Sequence, residues 1–299
     1  MRILATRHYP GPAFDELEDV EVHALAELEA PRPDVEGLVV ANEPVPLDLL
    51  PNLRIVANFS VGYDRIGVEA CVERGVLVTN TPGVLDNATA DLAFALILAV
   101  RRRVFEGDRL VRSRGWTKSW FEGLVAEEVA GSTLGIVGLG RIGSAIARRA
   151  RGFDLRVLYA QRRRAETDLA EFRELDALLA ESDIVTLHVP LTPETEGLID
   201  ATRLELLRDG ACLVNTARGE IIDQEALVAE LVSGRIRAGL DVFTNEPGVP
   251  PELLELPNVV LTPHLGSATR QTREAMTRLV VDNLLAVERG EPPLTPVRP

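Results

Sequence analysis

Lysine is nearly missing from this chain: Lys118 is the only one, and arginine carries almost all the positive charge. That usage suits a GC-rich genome and says little about function. Cysteine is scarce as well, with Cys71 and Cys212 far apart and in no metal-ligand spacing. Cys71 fits a helix face and Cys212 a buried strand, so both read as inert packing residues, and no metal site is expected. The longest apolar run, 92–100, is far too short to span a bilayer. The start of the chain lacks the apolar core of a signal peptide and goes straight into the strand-like Arg2-Ile3-Leu4-Ala5, which sets a cytoplasmic expectation. A basic excess is missing too. Acidic side chains number 46 against 32 basic ones, and the resulting charge of −14 argues against nucleic acid as a partner. Anionic ligands would therefore need arginines concentrated where they bind.

What is present is an ordinary globular composition, 46% apolar and 26% charged, over a length that suits two domains. Strand-like and helix-like runs alternate from end to end, which points to α/β architecture with parallel sheets. The first third offers strands over 3–6, 37–41, 55–59 and 76–79, with a short helix over 68–74 stopped by Gly75. A long apolar helix follows over 89–103, with Thr89 as its cap and Asp91 in its first turn. The stretch 105–131 loses that rhythm and holds both tryptophans, Trp116 and Trp120. Six further strands then recur with helical crossovers, over 134–138, 156–159, 184–189, 212–215, 238–242 and 259–262. That is the count of a complete dinucleotide-binding sheet. One last helix, 269–288, is too little for a domain and is expected to pack back on the first one. The expected fold is two Rossmann-like, doubly wound domains. A discontinuous, flavodoxin-like substrate domain takes 1–98 and 268–299, and a dinucleotide domain takes 99–267 with a projecting arm at about 104–131.

Gly138-Leu139-Gly140-Arg141-Ile142-Gly143 follows a strand and opens a helix, the context in which G-x-G-x-x-G becomes a strong dinucleotide signal. The first glycine permits the turn, the second lets backbone approach the pyrophosphate, and the third lets helix and strand pack closely. An NAD site would place an acid at the end of the next strand to hold the ribose 2′-hydroxyl. Here that strand ends Tyr159-Ala160-Gln161-Arg162-Arg163-Arg164. Guanidinium groups suit a 2′-phosphate, so NADP(H) is expected over NAD(H), with Arg162 the first choice for the contact.

Three later segments carry reaction chemistry, each at the carboxyl end of a strand, where ligands bind in open α/β sheets. They are Asn215-Thr216-Ala217-Arg218-Gly219, Gly239-Leu240-Asp241 running on to Asn245-Glu246-Pro247, and Leu261-Thr262-Pro263-His264-Leu265-Gly266-Ser267. In order and spacing these blocks resemble the signature segments of the D-isomer-specific 2-hydroxyacid dehydrogenases. The resemblance extends over nearly the whole chain, including Ser60-Val61-Gly62-Tyr63-Asp64, Thr79-Asn80-Thr81-Pro82-Gly83-Val84 and His188-Val189-Pro190-Leu191-Thr192-Pro193. The segment 115–120 and the arginine-ended strand are similar to the glyoxylate/hydroxypyruvate reductases within that family. One departure stands out: the stretch from Gly234 to Asp241 is one residue shorter than usual, which implies a tightened loop rather than a displaced Glu246.

The resemblance implies reduction of a small 2-oxo acid by hydride from a nicotinamide. Such a reaction also needs a proton for the carbonyl oxygen and a cation for the carboxylate. His264 is the expected acid. Glu246 would pair with it, orient the ring and favour its protonated form. Arg218 would hold the carboxylate and polarise the carbonyl. By resemblance, the N–H groups of Val61 and Gly62 and the Ser267 side chain also bind substrate. Asp241 would bond the nicotinamide carboxamide, and Pro190, Thr195, Thr216, Ala217, His264 and Gly266 would contact the cofactor. His8, His23 and His188 are weaker candidates, with His188 expected to be structural. The resemblance also implies a homodimer in which Trp120 reaches the neighbouring subunit's site. The apolar surplus of the helix 89–103 (Leu92, Phe94, Leu96, Ile97, Leu98) points the same way. A phosphoglycerate dehydrogenase would share these blocks, but no regulatory domain follows Pro299 and the arginines suit NADPH. A nucleotide-sensing co-repressor of the same family would also keep Arg218, Glu246 and His264.

Overall fold

A computed structural model describes residues 1–117 and 122–298. The chain divides into two compact units, Met1–Leu85 with the segment from Ser267 onward, and Asp86–Gly266.

The first unit begins with strands β1 (Ile3–Ala5), β2 (Val20–Val22), β3 (Gly37–Val40) and β4 (Ile55–Asn58), then helix α1 (Val68–Glu73) and strand β5 (Leu77–Thr79). The strands pair in parallel in the order β2-β1-β3-β4-β5. β1, β3 and β4 are buried at every position, as expected of parallel strands covered on both faces. Gly75, at φ 74°, ends α1 as the sequence predicts.

The second unit opens on helices α2 (Asp86–Arg101) and α3 (Val104–Arg112), followed by β6 (Thr133–Val137), α4 (Arg141–Ala150), β7 (Arg156–Ala160) and β8 (Glu171–Phe172). It continues through α5 (Leu175–Glu181), β9 (Ile184–Leu187), α6 (Ala201–Glu205), β10 (Cys212–Asn215), α7 (Gln224–Val232), β11 (Arg237–Leu240), α8 (Pro251–Leu254) and β12 (Val259–Leu261). Its strands are parallel in the order β12-β11-β10-β9-β6-β7-β8, so the winding reverses between β6 and β9. The last helix, α9 (Arg270–Glu288), belongs to the first unit, where it covers β4. Thr269 caps it by accepting from the Thr272 amide, and Arg54 reaches the Val287 carbonyl.

Three differences from the sequence reading have physical causes. β2 and β8, of three and two residues, are edge strands too short to leave a periodic signal. The unit boundary falls at 85/86 rather than 98/99, because α2 packs on α4, β10, β11 and β12. That packing also absorbs the apolar surplus of α2: Phe94, Leu96 and Ile97 are buried in the core, and Leu92 and Leu98 lie half-buried against it. Thr89 is not the cap of α2 but an internal residue, whose hydroxyl donates to the Gly266 carbonyl. Among the described residues no helix is long and apolar enough to cross a membrane.

Candidate active site

The reversal between β6 and β9 marks where an open α/β sheet holds its ligand. β6 runs into Gly138, whose φ of 96° favours glycine, and an added Cβ would lie 2.7 Å from the His188 carbonyl oxygen at the end of β9. Gly143 is needed for packing, since a Cβ there would collide with the Gly138 carbonyl. Gly140 has neither constraint; its Cβ would meet nothing within 4 Å. Open space above the backbone is what a close-lying pyrophosphate requires. The amides of Gly140, Arg141, Ile142 and Gly143 donate to no acceptor among the described residues, as at any helix start left for an anion. At the end of β10, two strands along the sheet from β6, the hydroxyl of Thr216 is buried with no partner among the described residues. A dinucleotide fits this donor set.

The loop after β7 sorts its arginines. Arg162, Arg163 and Arg164 are all exposed, and Arg164 lies over the Phe172 ring, 4.3 Å from its centroid. Gln161 accepts from the Leu139 amide and donates to the Arg163 carbonyl. Across the crevice, the Thr195 hydroxyl donates to the Pro190 carbonyl and accepts from the Thr192 amide, which shapes the 190–195 loop. The Thr192 hydroxyl, and beyond it the charge of Arg162, hold the Glu194 carboxyl below its ordinary range.

The chemical groups gather on the ends of β10, β11 and β12. Asn215 takes the Ala217 amide and gives its own amide to the Arg218 carbonyl, folding 215–218 into a tight turn. Gly219 then passes so close to the Phe243–Thr244 peptide that any Cβ would collide with it. This approach brings Arg218 within electrostatic reach of Glu246. His264 Nδ1 lies 2.8 Å from Glu246 Oε2, and Glu246 Oε1 accepts from the Phe243 amide. Burial alone would raise the Glu246 carboxyl. The His264 hydrogen bond and charge, the Phe243 amide and Arg218 outweigh it and hold the group below the usual range. The His264 backbone is left-handed, at φ 53°, with its amide shared between the Asp241 and Thr262 carbonyls.

Asp241, which the sequence reading gave to the nicotinamide carboxamide, is fully buried, and its carboxylate serves its own chain. It accepts from the Thr262 hydroxyl at 2.6 Å and from the Leu265 and Gly266 amides at 2.7 and 2.9 Å. Three of the roughly four acceptor positions of a carboxylate are therefore spent holding the loop that carries His264. The shortened stretch before β11 turns at Gly234, φ 76°, and Glu246 still reaches His264.

In the first unit, the loop after β4 is held by its carbonyls. Asn58 donates to those of Ser60 and Gly62, and Asn80 to that of Val61. The Val61 and Gly62 amides donate to nothing among the described residues. The sequence reading gave Asn58 no place and quoted Asn80 only within the 79–84 block; for Asn58, an asparagine closing an otherwise apolar strand was the available signal. Ser267 lies half-buried just ahead of α9. His8 lies beside Asp15 and His23 beside Glu27, each close in sequence. His188 bonds Thr186, and burial pushes its pKa down to about 3. Trp116 is exposed, and Trp120 lies outside the described residues.

Residues 94–266 match the family described as D-isomer specific 2-hydroxyacid dehydrogenase, NAD binding domain. A glyoxylate reductase of Pyrococcus furiosus is 49% identical, over 98% of this chain and 94% of its own length. The crystal structure of the TT0316 protein from Thermus thermophilus superposes with a TM-score of 0.93 at 46% identity, covering 100% of both chains. An NADPH-dependent glyoxylate/hydroxypyruvate reductase from Sinorhizobium meliloti, in complex with NADP and malonate, gives a TM-score of 0.90 at 38% identity, covering 99% of this chain and 96% of that one. With the glycine turn, the Glu246–His264 pair and Arg218 on successive strand ends, the chain belongs to the D-isomer-specific 2-hydroxyacid dehydrogenases, NAD(P)-dependent oxidoreductases of small 2-oxo acids.

Proposed function

We propose that the chain reduces glyoxylate to glycolate and hydroxypyruvate to D-glycerate, preferring NADPH, as a homodimer. The observation that carries the chemistry is the His264–Glu246 pair, with Arg218 in electrostatic reach of the same carboxylate. Bound NADPH supplies a hydride for the carbonyl carbon. Arg218 holds the substrate carboxylate through planar, paired N–H groups. By resemblance to the family, the Val61 and Gly62 amides, which donate to nothing among the described residues, and Ser267 are further substrate-binding candidates. Because Nδ1 of His264 is engaged by Glu246, Nε2 is the atom that delivers a proton to the carbonyl oxygen. Hydride on carbon and proton on oxygen give the 2-hydroxy acid.

NADPH is favoured by the absence of an acid at the end of β7 and by the exposed Arg162 and Arg163 beside it. A relative of the same fold, described as NADPH-dependent and bound to NADP, agrees with that preference. The dimer draws support from exposed apolar side chains on α3 and beyond it. Val104, Phe105, Val111, Trp116 and Val125 are all between 50% and 71% exposed there.

The test follows the nicotinamide absorbance with glyoxylate, hydroxypyruvate and larger 2-oxo acids, using each cofactor. A higher kcat/KM with NADPH, for the two small substrates, is expected. Turnover of neither, or a higher kcat/KM with NADH, would overturn the reading.

A further inference from the structure

Gln161 stands where an NAD site carries its acid, yet the structure gives it an occupation of its own. Its Oε1 accepts from the Leu139 amide at 3.0 Å, inside the glycine-rich turn. Its Nε2 donates to the Arg163 carbonyl at 2.6 Å, inside the arginine-bearing loop. A backbone bond from the Gly138 amide to the Ala160 carbonyl, 2.9 Å, closes the same junction from below. The Gln161 side chain is half-buried; its bond to the Leu139 amide is partly buried, and its bond to the Arg163 carbonyl lies at the solvent-exposed surface.

We infer that Gln161 is a positioning residue that locks the pyrophosphate turn to the loop carrying Arg162 and Arg163, so that the two phosphate-binding elements hold one fixed spacing. The inference rests on the NADPH reading for its consequence, not for its geometry. Only an amide satisfies the junction, because one end must accept and the other donate. A carboxylate would still take the Leu139 amide, but it would set oxygen against the Arg163 carbonyl oxygen and expel the loop. An acid at 161 would thus do more than repel a 2′-phosphate: it would unseat the arginines meant to bind one. The Leu139 amide is also spent on Gln161, which leaves Gly140 and the first turn of α4 as the donors for pyrophosphate.

The test uses the full-length protein and Gln161→Met, which keeps size and charge but removes both bonds. Two measurements separate the inference from the reading it rests on. The first is hydrogen exchange of the cofactor-free protein. Peptides covering 138–141 and 161–165 should both exchange faster in Gln161→Met, and unchanged exchange in either would overturn the lock. The second is calorimetric binding of NADPH, NADH and 2′-phosphoadenosine 5′-phosphate. Gln161→Met should weaken NADPH and the 2′-phosphate probe by about tenfold, the scale of a lost hydrogen bond or two, and NADH by much less. In an Arg162→Ala, Arg163→Ala background the same substitution should add little for NADPH, because a positioning residue acts through the groups it positions. Full additivity would assign Gln161 a direct contact and overturn the positioning role. If wild-type protein binds the 2′-phosphate probe no better than adenosine 5′-phosphate while the exchange result holds, the NADPH reading fails and the lock stands.

Discussion

His264 owes its placement to three different constraints: a left-handed backbone at φ 53°, an amide held by the end of β11, and a ring held by Glu246. His264→Ala should lower kcat by about two to four orders of magnitude, with calorimetric NADPH affinity nearly unchanged, as expected when only the proton donor is lost. Glu246→Gln tests the pair through turnover. Losing the carboxylate that holds the His264 ring should lower kcat by about tenfold or more with NADPH affinity nearly unchanged; a wild-type kcat would separate Glu246 from the acid. Glu246 itself is held below the ordinary carboxylate range, so its contribution to stability is present above its unfolded pKa and is lost only as pH falls through the lowered folded one. These residues were legible in sequence because their chemical types sit on successive strand ends. Asn58, Asn80 and the second job of Gln161 were not, since their value lies in which backbone groups the fold brings within 3 Å or so of them.

Elements with a full turn or more of periodicity could be read directly, and β6, β7, β9, β10, β11 and β12 fall where the alternating runs place them. Ownership of an element was harder. The sequence shows α2 as apolar on most sides but not that the partner faces belong to α4 and the strands beside it. The turn after β10 shows how far an element depends on one contact invisible in sequence. Gly219 exists because the Phe243–Thr244 peptide lies against it, and that contact draws the Arg218 loop onto the segment carrying Glu246. Gly219→Ala should therefore force the two segments apart. A stability loss of about 1–3 kcal/mol in urea unfolding is expected, together with a fall in kcat/KM at unchanged NADPH affinity. A variant as stable and active as wild type would show that the loops do not need this approach.

For the whole molecule, a charge of −14 sets the general field against anionic ligands, so the local arginines must work against it. The same charge keeps copies of the chain apart unless an apolar surface offsets it. With α2 buried in its own unit, the exposed apolar residues Val104, Phe105 and Val111 of α3, with Trp116 and Val125, are the proposed dimer surface. Phe105 and Val125, 50% and 71% exposed, are the sensitive positions, because an acid there would add to an already negative surface. Sedimentation velocity of wild type should show a dimer, and Phe105→Asp with Val125→Asp should shift it to monomer with the circular dichroism unchanged. Trp120→Ala separates assembly from the site. It should leave the dimer intact while changing the ratio of kcat/KM for hydroxypyruvate, glyoxylate and bulkier 2-oxo acids, the outcome that the resemblance to the glyoxylate/hydroxypyruvate reductases implies for Trp120. An active wild-type monomer would end the dimer proposal, and an unchanged substrate ratio in Trp120→Ala would remove Trp120 from the pocket while leaving the dimer standing.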